Sequence, residues 1–388
     1  MHWPSTCWFR GCIWSGLSKK AGTPPKNWWY ASVSLPGYRN PVIPACRSGN
    51  CIIFAASRQP MEAYDFFEIT SREAFEQAAL EVFRAQFRTV PVYGEFCRHL
   101  GRTPGEVTQA EDIPFLPIEF FKSHKVLRHG ATETVVFQSS GTTDSGLSRH
   151  FVPDLSLYAS SYTRGFEYFF GPVSDWCILA LLPSYQERPG SSLIYMVEGL
   201  IRAGAREGSG FLNGDADGIA ARIREADRAH DRVLLIGVSF ALLDLAESHP
   251  MELSGTTVME TGGMKGRRKE LIRQELHGRL CRGLGLERVH SEYGMTELLS
   301  QAYSSGRGIF QCPPWMQVRI RDTEDPLSPV TPGRTGGINV IDLANWHSCS
   351  FIATQDLGRH LPDDQGFEVL GRFDHSDIRG CNLLAIGR

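Results

Sequence analysis

Two short apolar runs constrain this chain most: Cys177–Leu182 and Val233–Ile236 are almost unbroken by polar residues. A strand exposed on one face alternates apolar and polar residues, so an unbroken run implies burial on both faces. Helical patterns lie between these runs, at residues 191–203 and 217–228, and a further helix follows at 240–247. Strand and helix continue to alternate, with strands expected at 256–260 and 288–292 and a basic helix at 265–282. Such alternation predicts an α/β fold with mostly parallel sheets flanked by helices. Upstream, Thr70, Ser71, Arg72 and Glu73 suggest a capping box with Thr70 as N-cap. A helix then runs from Phe75 to Phe87 and is closed by Pro91. A strand is expected at 133–138, and a helix at 154–170 capped by Asp154. From about residue 310 the pattern changes to a smaller antiparallel β region, with strands at 317–321 and 337–343.

The first 60 residues read differently. They contain no Asp or Glu, seven basic residues, five of the eight Trp and seven Pro. The remaining 33 basic and 43 acidic residues give the rest of the chain −10, within a total of −3. No sustained helical or alternating pattern runs through the segment, nor the apolar core of a signal peptide. We expect residues 1–60 to be a non-globular leader, disordered or translated upstream of a start at Met61, and residues 61–388 to form the domain. A near-neutral chain lacks the basic face that non-specific nucleic-acid binding needs. No apolar run reaches the length of a membrane span. The single cysteines scattered beyond Met61 are expected to be small buried hydrophobes, and the protein to be cytoplasmic.

Three motifs carry chemistry. Ser139, Ser140, Gly141, Thr142 and Thr143 follow the strand at 133–138. Small hydroxyl residues around Gly let backbone N–H groups approach phosphate oxygens. No Walker-type Lys follows, so this is a different cradle or a plain Ser/Thr turn. Tyr293, Gly294, Met295, Thr296 and Glu297 leave the strand at 288–292. An aromatic ring there can stack on a base, while Thr and Glu can meet a phosphate and its Mg2+. Ligands of open α/β sheets collect at the carboxyl ends of parallel strands. Asp356 lies in Thr354–Gly358, and Gly371, Arg372, Phe373 and Asp374 follow.

In this order the motifs resemble the adenylate-forming superfamily of acyl-CoA synthetases and their relatives. The resemblance implies that Ser139–Thr143 hold ATP phosphates and that Tyr293 packs on adenine beside Gly262 and Gly263. It further implies that Thr296 contacts the α-phosphate, Glu297 carries Mg2+ and Asp356 binds the ribose hydroxyls. Arg372 and Asp374 then belong to a hinge. The chain is more narrowly similar to the acyl-protein synthetase (LuxE) family of long-chain-fatty-acid–protein ligases. Pro183–Arg188, Glu260–Gly263 and Arg379–Leu383 carry that likeness. It implies the large domain without the small C-terminal domain that typical synthetases add. It also implies ATP and Mg2+ as cofactors, a long-chain fatty acid as substrate, and Cys381 as acyl carrier. Arg188 is expected to steer the carboxylate. A partner acyl-reductase, acyl-carrier protein or acyltransferase follows only from the resemblance. The phosphate loop departs from the typical pattern because it lacks Lys, and Arg149 is its nearest cation.

Three other readings remain open. One is a phenylacetate–CoA-ligase-like enzyme acting on an aromatic acid. Another is a non-catalytic acyl- or nucleotide-binding module. The third is a hydrolase, because Gly237-Val238-Ser239-Phe240-Ala241 sits where an esterase nucleophile would.

Overall fold

A computed structural model of the chain describes residues 65–139, 146–183, 190–262, 271–362 and 365–373. The leader, most of the Ser/Thr/Gly loop, Arg188, Gly263 and Cys381 lie outside the described residues.

Helix α1 (Arg72–Thr89) begins one residue later than the capping-box reading allows. Ser71, not Thr70, is its N-cap, accepting from the Ala74 N–H at 3.1 Å. Pro91 closes α1 and also opens α2 (Pro91–His99), where its missing N–H costs nothing at the first helical position. The connector that follows contains β1 (Leu116–Pro117) and the short helix α3 (Phe120–Ser123). Strands β2 (Val135–Gln138) and β3 (Arg149–Val152) then form an antiparallel pair around the Ser/Thr/Gly loop. Helix α4 (Leu155–Phe170) is capped by Asp154, which accepts from the Ser156 and Leu157 N–H groups.

The main sheet follows from the apolar runs. Its strands are β4 (Cys177–Leu181), β5 (Gly210–Phe211), β6 (Val233–Gly237), β7 (Thr256–Glu260), β8 (His290–Tyr293) and β9 (Ala302–Ser304). The spatial order is β5-β4-β6-β7-β8-β9. Neighbours are parallel except at the β8–β9 edge. Every residue of β4 and β6 is buried, as unbroken apolar runs require. The crossovers use α5 (Ser192–Gly204), α6 (Ala216–Ala229), α7 (Ser239–Ser248) and α8 (Arg273–Leu284). Of the basic helix expected over 265–282, residues 265–270 lie outside the described residues, and α8 begins at Arg273.

A second sheet holds β10 (Ile309–Phe310), β11 (Met316–Arg321), β12 (Gly336–Asp342), β13 (Phe351–His360) and β14 (Phe367–Arg372), with β1 joined to β13. Apart from the parallel β1–β13 pair, its pairings are antiparallel. With six strands it equals the main sheet in strand number. Cys97, Cys177 and Cys349 are buried, and burial pushes the Cys97 thiol up to about 12, as expected of structural cysteines. Cys281 and Cys312 are half-buried instead. No helix among the described residues is long and apolar enough to cross a membrane.

Candidate functional site

β8 ends at Tyr293, and the second sheet comes to meet it there. The Tyr293 hydroxyl donates to Asp356 Oδ2 at 2.9 Å, and Arg372 Nε donates to the other oxygen, Oδ1, at 3.3 Å. Asp356 and Arg372 face each other because β13 and β14 pair them in register. The Asp356 N–H is held by Thr354 Oγ1 at 3.1 Å. Half-buried Arg321 supports the same stretch of β13, donating to the Thr354 carbonyl at 2.6 Å. The Tyr293 ring stands edge-on to Phe310 and Phe367 and is only 8% exposed. It therefore offers little face to a stacking base. Burial, with the Asp356 charge beside it, holds the phenol well above its usual range, so its proton stays in place.

The β2–β3 pair reaches the same place from the other side. Ser139 closes the base of the Ser/Thr/Gly loop: its Oγ accepts from the Ser148 N–H at 3.0 Å, and its N–H donates to the Ser148 carbonyl at 3.1 Å. Ser148 in turn stands close enough to the Glu297 carboxyl to lower its pKa. Glu297 is nearly fully buried, and burial raises its pKa despite Ser148, its own backbone N–H and Arg372. A buried carboxylate of this kind gains from a divalent cation. Mg2+ bound through nucleotide phosphates needs only one or two protein carboxylates. Among the described residues, no three His, Cys, Asp or Glu side chains gather into a metal site of their own.

His150, which the motif reading missed, ties the two halves together. Its Nδ1 lies 2.9 Å from the Thr296 carbonyl and its Nε2 lies 3.0 Å from Asn345 Oδ1. Asn345 Nδ2 donates to the Glu297 carbonyl at 2.7 Å, which fixes the amide's orientation. Both ring nitrogens thus face acceptors, yet burial pulls the His150 pKa down to about 4. No phosphate-binding motif marks this residue. Its only sequence signal is a polar side chain directly before the apolar pair Phe151-Val152 of β3.

The strand register separates Arg149 from this group. Ser148 and His150 are buried, whereas Arg149 between them is exposed and stands over the Phe151 ring. Side chains alternate across a strand, so Arg149 points away from Glu297 and does not occupy the place of a phosphate-loop Lys.

Gly262 follows β7 with φ +73°, a conformation suited to Gly. Its N–H donates to Glu260 Oε2 at 2.7 Å. Burial alone would raise Glu260, but His277, Arg273 and Ser291 outweigh it and hold the carboxyl near 2. Ser239, the esterase-like serine, is buried and donates its hydroxyl to the same carboxylate at 2.9 Å. In a hydrolytic triad the imidazole stands between serine and acid. Here the acid stands between Ser239 and His277, so the serine has no base, and the segment is a strand-to-helix turn.

No family model matches the sequence, and no curated protein matches it. Solved structures do resemble the fold. An open conformation of 2-hydroxyisobutyryl-CoA ligase in complex with 2-HIB-AMP and CoA matches at TM-score 0.58 and 14% identity. That match covers 78% of this chain and 70% of the ligase. The same ligase in the thioesterification state matches at TM-score 0.58 and 15% identity, covering 84% and 74%. In the postadenylation state with 2-HIB-AMP it matches at TM-score 0.58 and 12% identity. The chain has the fold of the adenylate-forming acyl-CoA ligases. Within that fold, Ser139, Gly262, Tyr293, Thr296, Glu297, Asp356 and Arg372 lie on segments that converge at the carboxyl end of the main sheet. Ser140, Gly141, Thr142, Thr143, Gly263, Arg188 and Cys381 lie outside the described residues.

Proposed function

We propose that the protein uses ATP and Mg2+ to convert a carboxylic acid into an acyl-adenylate, releasing pyrophosphate. The observation that carries this reading is the junction at the end of β8. There the Tyr293–Asp356–Arg372 set meets the Ser/Thr/Gly loop through Ser148–Glu297 and His150–Thr296. Asp356 keeps lone pairs for ribose hydroxyls, and Glu297 supplies the carboxylate for a phosphate-bound cation. Mg2+ would balance charge on the α-phosphate as the carboxylate attacks. The Thr296 side chain would contact that phosphate, on a backbone that His150 holds in place.

The finer reading comes from the resemblance to acyl-protein synthetases. It makes the substrate a long-chain fatty acid and the acceptor a protein thiol, either Cys381 or that of a partner acyl-reductase or carrier protein. Attack by the thiolate forms the thioester and expels AMP. The test is labelling with radioactive fatty acid, ATP and Mg2+, followed by neutral hydroxylamine. ATP-dependent, hydroxylamine-labile label that disappears in Cys381→Ser is the expected result. Label unchanged in that variant would remove Cys381 from the pathway. Absence of acyl-AMP with any acid would overturn the activation itself.

A further inference from the structure

The other face of the β8–β9 edge is left chemically open. Glu292 and Tyr303 are direct cross-strand partners, so their side chains share one face. Tyr293, next in sequence, points to the opposite face and toward Asp356. At Gly294 a Cβ would lie 2.4 Å from Glu292 Oε1 and 3.3 Å from Gln301 Cγ, so the Glu292 carboxyl fills the space a side chain there would need. Gln301, Glu292 and Tyr303 therefore share one small patch. Helix α4 covers it, with Phe169 and Phe170 against the Tyr303 ring. Tyr158 stands close enough that both Glu292 and Tyr303 act on its hydroxyl electrostatically, and that hydroxyl donates to the Ser192 carbonyl at the start of α5.

Each of the three side chains is at least nine-tenths buried, and two of them carry a buried polar atom with no partner. The Tyr303 hydroxyl and Gln301 Oε1 are buried without a hydrogen-bond partner. Glu292 is 9% exposed and has no hydrogen-bond partner among the described residues. Burial, with the charge of Glu260 nearby, raises its carboxyl to about 8, so it carries a proton at neutral pH. Thr261, His290 and His347 also carry an unpaired buried atom, whereas the chain just before Gln301 is paired. Ser300 and Trp315 Nε1 hydrogen-bond each other and Ser161, and Asp342 accepts from Leu299, Ser300 and Ala344. Buried polar groups are normally paired, because an unpaired one costs about 1–3 kcal/mol. Two unpaired groups beside a buried carboxyl on one face point to a ligand that pairs them.

We propose that Glu292, Gln301 and Tyr303 bind a hydroxyl group of the acid substrate, so that the protein activates a hydroxylated carboxylic acid in preference to its unsubstituted counterpart. This rests on the adenylation reading. A hydroxyl both donates and accepts. It can donate to Gln301 Oε1 and accept from the Tyr303 O–H or the Glu292 carboxyl. A plain alkyl chain would leave Gln301 Oε1 and the Tyr303 hydroxyl unpaired, and a site built to hydrogen-bond a substrate hydroxyl discriminates strongly against the analogue lacking it.

The experiment is ATP–pyrophosphate exchange by the full chain, using hexadecanoic acid and its 2-, 3- and 16-hydroxy and 2-amino derivatives. Wild type is compared with Tyr303→Phe and Glu292→Gln. At least one hydroxy acid should exceed the parent acid about 10-fold or more in kcat/KM, and both variants should bring that ratio toward one. Exchange that proceeds equally with parent and hydroxy acids, or best with the amino acid, overturns the hydroxyl assignment and leaves adenylation standing. Exchange with no acid overturns adenylation, and thermal melting with the same acids then decides the binding face. A melting shift with a hydroxy acid but not the parent, absent in Tyr303→Phe, retains the assignment. No shift rejects it.

Discussion

His150→Phe gives a direct test of the junction at Thr296 and Glu297. A neutral imidazole carries one ring proton, so it satisfies only one of the two acceptors it faces, the Thr296 carbonyl or Asn345 Oδ1. Phenylalanine fills a similar volume and satisfies neither. At pH 8 the variant should lose about 2 kcal/mol, the middle of the range for one buried acceptor left unpaired. Acid changes the comparison. The His150 pKa falls from 6.5 in the unfolded chain to about 4 in the fold because burial disfavours its charged form. The unfolded state therefore binds more protons between those values. The group's contribution is complete above pH 6.5 and is lost as pH falls toward 4. Between pH 8 and pH 5 wild type should lose about 2 kcal/mol from this group alone. His150→Phe has nothing to titrate there, so the gap between the proteins should close from about 2 kcal/mol at pH 8 to near zero at pH 5. Urea unfolding followed by tryptophan fluorescence at pH 8, 7, 6 and 5 measures it. Taking the difference cancels His290 and His347, whose pKa values burial also lowers. A gap that stays constant means His150 does not titrate differently in the fold. A gap that widens in acid means the ring is charged and bonds both acceptors, and either result refutes the reasoning.

Asp356→Ala removes the acceptor of the Tyr293 hydroxyl and the partner of Arg372, and should cost about 1–3 kcal/mol of stability. ATP affinity, measured by equilibrium dialysis, should fall about 10-fold or more if the carboxylate also bonds the ribose. Ser239→Ala should cost about 1 kcal/mol, since Glu260 keeps its bonds to Gly262 and Arg273. Its acyl-adenylate formation should stay within about threefold of wild type, where a serine nucleophile would show complete loss.

The main sheet was legible because burial on both faces leaves an unmistakable pattern. Strands expected at Trp176–Leu182 and Arg232–Val238 are found at Cys177–Leu181 and Val233–Gly237, one residue shorter at each end. Helix starts were less legible. Ser71 and Thr70 are both competent caps, and only backbone geometry selects the serine. β9, β10 and β14 span two to six residues, too few for a period to show. The motif residues Tyr293, Thr296, Glu297 and Asp356 were visible because each belongs to an ordered set. His150 and Asn345 were not, because their importance comes from each other. A histidine and an asparagine 195 positions apart leave no local signal of a shared hydrogen bond. The open trio at Glu292, Gln301 and Tyr303 was invisible for a related reason: sequence shows which polar residues a strand carries, but not which of them find partners.

The parity of β8 gives these observations one physical cause. Side chains alternate along a strand, so Tyr293 and Glu292 must face opposite sides of the main sheet. On one side Tyr293 meets Asp356, Phe310 and Phe367 from the second sheet. On the other, Glu292 meets β9 and the aromatic residues of α4. If the first side holds nucleotide and the second holds the acid, two adjacent residues of one strand divide the substrates between them. The chain leaving β8 then carries Thr296 and Glu297 to the boundary, where a phosphate and a carboxylate would have to meet. A one-residue insertion between His290 and Glu292 would flip Glu292 and Tyr293 together, putting the acid where the phenol stands and the phenol where the acid stands. The geometry thus demands a fixed register here. The antiparallel β9 supplies it, pairing Ser291, Glu292 and Tyr293 with Ser304, Tyr303 and Ala302 at the edge of an otherwise parallel sheet.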